Sequence, residues 1–212
     1  MTSLLAVAHG TRSAAGQSQI RDLVDRVAGR LPGVEVRLAY VDVQQPRVAD
    51  AIRATDVVVP LLLSAGHHVR VDIGEAAAAA GAVVAPPLGP DPVLVDILRR
   101  RLPPCDAVVL ASAGSSDPAW RAEVDGVAAE LGGTVAYASG RERLVPDVVA
   151  RLRRSGKRRI VVAAYLLADG LFYRSLHRAG ADRVTAPLCE DPAVADLVRT
   201  RFRDLTMAAS GL

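Results

Sequence analysis

The stretch LLAVAHGTRSAAG, Leu4 to Gly16, runs from an apolar segment through His9-Gly10 into a helical pattern, and it has a counterpart in AVVLASAGSSDPA, Ala107 to Ala119. The match sets Gly114 against Gly10 and Ala113 against His9, 104 residues on. VVPLLLSAGHH, Val58 to His68, pairs with VAAYLLADGLF, Val162 to Phe172, at the same offset of 104. A third pair closes each half: PLGPDPVLVDILRRR from Pro87 parallels PLCEDPAVADLVRTR from Pro187, now 100 residues apart. Separate motifs sharing one offset mark an internal duplication. The halves meet near Leu102-Pro103-Pro104, which sets domains at 1–103 and 104–212.

Inside each half, short apolar strands alternate with amphipathic helices. Strands are predicted near Leu4–Ala8, Val34–Val41, Asp56–Leu62 and Ala82–Ala85, and helices near Ala15–Leu31, Pro46–Ala54, Val69–Ala80 and Pro92–Leu102. The second half repeats this, with strands near Ala107–Ala111, Thr134–Ala138, Arg159–Tyr165 and Arg183–Thr185. Continuous apolar strands separated by helices imply parallel sheets covered on both faces. The fold class is therefore α/β, as two similar three-layer domains, each with a mainly four-stranded parallel sheet flanked by helices. The run Ala76–Ala80 before Gly81 reads as an ordinary helix with a glycine stop. Asp91-Pro92 and Asp191-Pro192 start the last helix of each half, where proline's missing N–H is harmless.

Composition narrows the functional classes. Half of the residues are apolar but only 3% are aromatic, which disfavours base stacking on nucleic acid. The net charge of +3 is too mild for a DNA footprint, though it suits a small polyanion in a locally basic cleft. No apolar run has the length of a membrane span and no signal segment opens the chain, so a cytoplasmic protein without membrane or nucleic-acid partners is expected. Cys105 and Cys189 form no Cys-x-x-Cys pair and read as reduced thiols.

Ligands of such sheets collect beyond the carboxyl ends of the strands. His9 follows the first strand, Asp42 the second and His67-His68 the third, which brings imidazole and carboxylate to one rim. That donor set, without thiolate, suits iron, cobalt, nickel or zinc. Taken singly, each residue is more often a cap or a solvated loop side chain; their coincidence at one rim is what points to a metal. Ala113, Phe172 and roughly Ser139 stand at the corresponding positions of the second half, so the scaffold was copied but the polar set occurs once. There is no Gly-x-Gly-x-x-Gly and no Walker lysine, hence no nucleotide cofactor. Ser115-Ser116 lacks a nucleophile elbow, and the second half's His177 falls on a predicted helix.

AVAHGTRS, VPLLLSAGHHVRVDI and PLGPDP together resemble the CbiX/SirB family of class II chelatases, over essentially the whole chain and in its two-domain duplicated form. The resemblance implies insertion of Co2+ or Fe2+ into sirohydrochlorin, in cobalamin or sirohaem biosynthesis, with no ATP and no organic cofactor. It makes His9 and His68 the catalytic and metal-binding pair and leaves His67 at a variable position. Asp42 stands where the family often has a glutamate, one methylene longer, and is the third candidate ligand. The family's Asp-Ile-Pro is replaced by Asp72-Ile73-Gly74. Because the tetrapyrrole substrate carries many carboxylates, Arg12, Arg70 and Arg174 are candidates to grip them. The half 1–103 would carry the site and 104–212 the opposite wall of the cleft, in a monomer. A metal carrier or tetrapyrrole-binding protein without turnover is the alternative; a bilobed solute-binding protein is disfavoured by the missing export signal and the one-sided histidines.

Overall fold

In a computed structural model the chain is described over residues 2–64 and 69–209, the side chains of Val69, Arg70 and Ala209 excepted. Its first strand, β1 (Ser3–Ala8), is buried at every position and lies in the middle of a sheet. Both flanks of β1 are occupied, by β2 (Val36–Tyr40) and β3 (Asp56–Pro60), and β4 (Val83–Val84) pairs with β3, giving the order β2-β1-β3-β4 with every pairing parallel. The second sheet repeats this as β6-β5-β7-β8, from β5 (Ala107–Ser112), β6 (Thr134–Tyr137), β7 (Ile160–Ala164) and β8 (Arg183–Val184), again all parallel. The two four-stranded sheets expected from the duplication are present.

Crossover helices follow the apolar periodicity. Helix α1 (Ala14–Gly29) begins where the Ser13 hydroxyl accepts the Gly16 N–H, and it buries Ile20, Leu23, Val24 and Val27. Its counterpart α5 (Pro118–Glu130) is capped by Asp117 through the Ala119 N–H. Helix α6 (Val145–Arg154) and the short α7 (Leu171–Leu176) complete the crossovers of the second sheet. Two helices differ from expectation. The segment expected as Pro46–Ala54 contracts to α2 (Val48–Ala51), because Ile52 is extended and the Arg53 N–H donates to the Asp56 carboxylate instead of continuing the helix. The segment expected as Val69–Ala80 opens with a π-helical turn, Val69–Ile73, before α3 (Gly74–Ala80), which ends at Gly81 with φ 72°.

The compact units cut across the two sequence repeats. One comprises Met1–Gly89 with Asp191–Leu212 and the other Pro90–Glu190, so the final helix of each repeat is grouped with the sheet of the other. Helix α8 (Pro192–Ala209) packs on α1 and β3 with Val194, Ala195, Val198 and Phe202 buried, while α4 (Pro92–Arg101) buries Leu94, Val95, Ile97 and Leu98 in the second unit. The exchange is reciprocal in detail: Arg201 of α8 donates to the Pro87 carbonyl at 3.2 Å, and Arg101 of α4 donates to the Pro187 carbonyl at 3.0 Å. Both helices start alike, with Asp91 accepting the Val93 N–H and Asp191 the Ala193 N–H. Their apolar stripes are equivalent, so periodicity alone does not say which sheet each one covers. No described helix is long and apolar enough to cross a membrane.

A buried ionic knot fixes the amino-terminal end of the first sheet. The Asp56 side chain has no solvent exposure; Arg37 Nη2 lies 2.6 Å from both of its oxygens, the Ser3 hydroxyl donates at 2.6 Å and the Arg53 N–H at 2.7 Å. Desolvation pushes this carboxyl up, but the Arg37 and Ser3 hydrogen bonds and the Arg53 amide outweigh it and hold it below its ordinary value. Its stabilisation is therefore present above the unfolded-state pKa, near 4, and is lost as pH falls below it. Asp56→Ala strands the largely buried Arg37 and is expected to cost about 3 kcal/mol in denaturant unfolding, with the gap to wild type narrowing below about pH 4.

Candidate metal site

The first two strands remain paired beyond their ends. Val41 N–H donates to the Ala8 carbonyl and Asp42 N–H to the His9 carbonyl, each at 2.9 Å, so His9 and Asp42 are held on adjacent backbones at the carboxyl edge of the sheet. Gly10 makes the approach possible. A Cβ there would lie 2.1 Å from the Asp42 carbonyl oxygen, and φ of 98° disfavours any side chain. The turn after Asp42 is strained, because Val43 is β-branched yet sits at φ 67°, a conformation that costs about 1–3 kcal/mol.

His9 is exposed, with Nδ1 3.3 Å from the Gly10 carbonyl; the tautomer protonated at Nδ1 donates there and puts the basic lone pair on Nε2. Asp42 Oδ1 accepts the Val43 N–H at 2.7 Å and Arg47 Nη1 at 2.9 Å. The Val43 amide first, then Arg47, hold the Asp42 carboxyl below its usual range, and the positive charge that His9 can carry acts in the same direction. Asp42 is thus an anion at neutral pH, next to an imidazole.

Sequence reasoning missed the residues that hold this loop. Arg47 also donates to the Val41 carbonyl at 2.8 Å, so one guanidinium fixes the backbone before Asp42 and the carboxylate itself. Gln44 accepts the Thr11 N–H, and Gln17 of α1 donates to the Thr11 carbonyl, both at 2.9 Å, which ties the β1–α1 loop to the Asp42 loop. Only the arginine five residues after Asp42 could have hinted at this.

Of the predicted site residues, the structure brings together His9 and Asp42. Arg12 is exposed on the same β1–α1 loop. Arg174, on α7 of the second unit, is more than half exposed and pairs with Asp169 at 2.9 Å. His67 and His68 lie outside the described residues; the Arg70 backbone belongs to the π-helical turn, and its side chain also lies outside them. Among the described residues no group of three or more His, Cys, Asp or Glu side chains could hold a metal ion.

The second unit reproduces the scaffold without the imidazole and the carboxylate. Ala138 N–H donates to the Ser112 carbonyl at 2.8 Å and Ser139 N–H to the Ala113 carbonyl at 3.0 Å, so Ala113 occupies the place of His9 and Ser139 that of Asp42. Gly114 repeats the close approach, since a Cβ would lie 2.6 Å from the Ser139 carbonyl oxygen. The Ser139 hydroxyl donates to the Ala113 carbonyl at 2.7 Å, turning onto the adjacent backbone.

Comparison with known proteins agrees with this architecture. The CbiX family model matches residues 3–104 and again 107–205, one copy on each repeat, and the chain belongs to the CbiX family. It is 30% identical to a sirohydrochlorin cobaltochelatase of Sulfolobus acidocaldarius over 112 residues, covering 48% of this chain and 89% of that protein. It is 23% identical to a sirohydrochlorin ferrochelatase of Priestia megaterium over 204 residues, covering 83% of this chain and 77% of that protein. Among solved structures, SirB from Bacillus subtilis with Fe3+ superposes with a TM-score of 0.81 at 21% identity, over 100% of this chain and 98% of that one. A CbiX described as the terminal enzyme of sirohaem biosynthesis in denitrifying bacteria gives a TM-score of 0.71 at 19% identity, over 95% of this chain and 98% of that one.

The copied glycines provide an internal control. Gly10→Ala and Gly114→Ala are both expected to lower the melting temperature, because each forces a backbone approach apart. Only Gly10→Ala is expected to weaken Co2+ binding, by roughly tenfold in a calorimetric titration, since it displaces His9 from Asp42.

Proposed function

We propose that this protein inserts Co2+ or Fe2+ into sirohydrochlorin without nucleotide hydrolysis. The observation that carries the reading is the juxtaposition of His9 and Asp42 at the carboxyl edge of one sheet, in a scaffold whose copy has Ala113 and Ser139 there. Membership of the CbiX family, with relatives named as sirohydrochlorin cobaltochelatase and ferrochelatase, supplies the substrate class.

In this reading His9, His68 and Asp42 receive the divalent ion, and the ion then moves onto four ring nitrogens as two pyrrole protons leave. A neutral imidazole nitrogen is both a metal ligand and a base, so His9 and His68 can hold the ion and accept protons. Asp42 supplies the anionic donor that reduces the net charge on the bound cation. Arg12, Arg70 and Arg174 take the roles of carboxylate grips, for which a guanidinium's paired donors are suited. No organic cofactor enters the reaction. We assign it to a monomer in the cytoplasm, serving either cobalamin or sirohaem synthesis according to which metal the protein meets.

The test follows sirohydrochlorin absorbance anaerobically with Co2+ or Fe2+. Wild type is expected to accelerate insertion over the spontaneous reaction, and His9→Ala and His68→Ala to lower the rate by about 100-fold or more while folding is retained. Stoichiometric binding of metal or tetrapyrrole without acceleration would instead establish a carrier.

A further inference from the structure

Helix α7 carries an apolar pair at its start, with Leu171 78% and Phe172 37% exposed. Isolated exposed hydrophobics are ordinary on protein surfaces, but these two are adjacent and belong to a firmly anchored helix. Leu176, on the same helix, is buried in the core of the second unit. The Tyr173 hydroxyl donates to the Thr185 carbonyl at 3.2 Å, and the Thr185 hydroxyl in turn accepts the Ala164 N–H at the end of β7. The Arg174 guanidinium is fixed to Asp169 at 2.9 Å. Leu171 and Phe172 are therefore presented outward from a helix secured on its other face.

Their position carries the argument further. The offset of 104 residues that aligns the repeats sets Leu171 on His67 and Phe172 on His68, so the second repeat carries an apolar pair where the first repeat's sequence has two histidines. Leu61 N–H donates to the Val7 carbonyl and Tyr165 N–H to the Ala111 carbonyl, each at 2.8 Å, which confirms the same offset in the backbone that feeds the two rims. A side chain that cannot bind a metal but stands exposed at the ligand edge of a parallel sheet suits a flat apolar surface. Arg174 lies three residues beyond Leu171 on the same helix and supplies a cation within one turn.

We propose that Leu171 and Phe172 form a contact platform for the conjugated face of the tetrapyrrole, with Arg174 receiving one of its peripheral carboxylates. This rests on the chelatase reading above and extends it, since it assigns recognition of the organic substrate to the second repeat. The aromatic ring and the branched side chain supply apolar contact, and the cation fixes the ring's edge. These are positioning residues that hold the macrocycle and take no part in proton or metal transfer.

The experiment titrates metal-free sirohydrochlorin into wild type, Phe172→Ser and the double variant Leu171→Ser with Phe172→Ser, following absorbance, and separately titrates Co2+ by calorimetry. Thermal stability should fall only slightly, through the covered part of the Phe172 ring. The double variant is expected to bind the macrocycle at least about tenfold more weakly, and to raise KM rather than lower kcat, because the contact is made before and during reaction alike. Co2+ affinity should stay within about twofold of wild type, and Phe172→Leu should restore most of the macrocycle binding. Wild-type binding with an unchanged double variant would overturn the platform and leave the chelatase reading standing. Failure of wild type itself to bind or metallate sirohydrochlorin would overturn the chelatase reading, and the platform with it.

Discussion

The close approach of Gly10 to the Asp42 carbonyl is the constraint on which the candidate site depends. It lets the parallel pairing of β1 and β2 run past the ends of the strands, through Asp42 N–H to the His9 carbonyl at 2.9 Å. An imidazole and a carboxylate are thereby placed side by side on backbone that is already hydrogen-bonded. Neither side chain must find the other from a flexible loop, so on the proposed function little ordering entropy would remain to be lost on binding a cation. The strain of Val43 and the two bonds from Arg47 belong to the same device, since they hold the chain in the sharp turn that follows Asp42.

Much of the fold was legible because the chain states it twice. Apolar strands, a shared offset and matching Asp-Pro helix starts led to two four-stranded parallel sheets, and the structure has them. Helix ownership was not legible. The apolar faces of α4 and α8 are chemically equivalent, so a hydrophobic stripe tells a reader that a helix covers a sheet without saying which one. The reciprocal bonds of Arg101 to the Pro187 carbonyl and Arg201 to the Pro87 carbonyl obey the same ambiguity, each arginine meeting the same local backbone as its counterpart. The shortening of α2 was hidden for a different reason. Asp56 reads as the start of a strand, and its capture of the Arg53 N–H is a tertiary choice made possible by Arg37 and Ser3.

The neighbourhood of His9 and Asp42 was legible in the sequence, and the geometry that holds it was much less so. His9 and Asp42 were found because strands of a parallel sheet deliver their following residues to one edge. The residues that hold them, Arg47, Gln44 and Gln17, carry no motif and act through backbone carbonyls and amides, which many arginines and glutamines do without any functional consequence. Val43 gave no warning either, since a β-branched residue is among the poorest choices for a left-handed turn. Its presence there is a local inconsistency of the kind that accumulates where geometry serves a site more than stability.

Arg47 also bears on what kind of metal site the chain could form. A structural site encloses its ion with a full set of anionic or thiolate donors, and tight retention follows. Asp42 already shares an oxygen with the Arg47 guanidinium, and on the proposed function an incoming cation would compete with that partner while meeting its positive charge. On that reading the contact that orients the carboxylate would also lower the affinity for the ion. For a storage protein this would be a defect. For a protein that must surrender its ion to four ring nitrogens, a ligand kept partly engaged elsewhere shortens the residence of the metal and returns to Arg47 once the ion has gone. On the proposed function, the Arg47 pair would favour delivery of the metal over its retention.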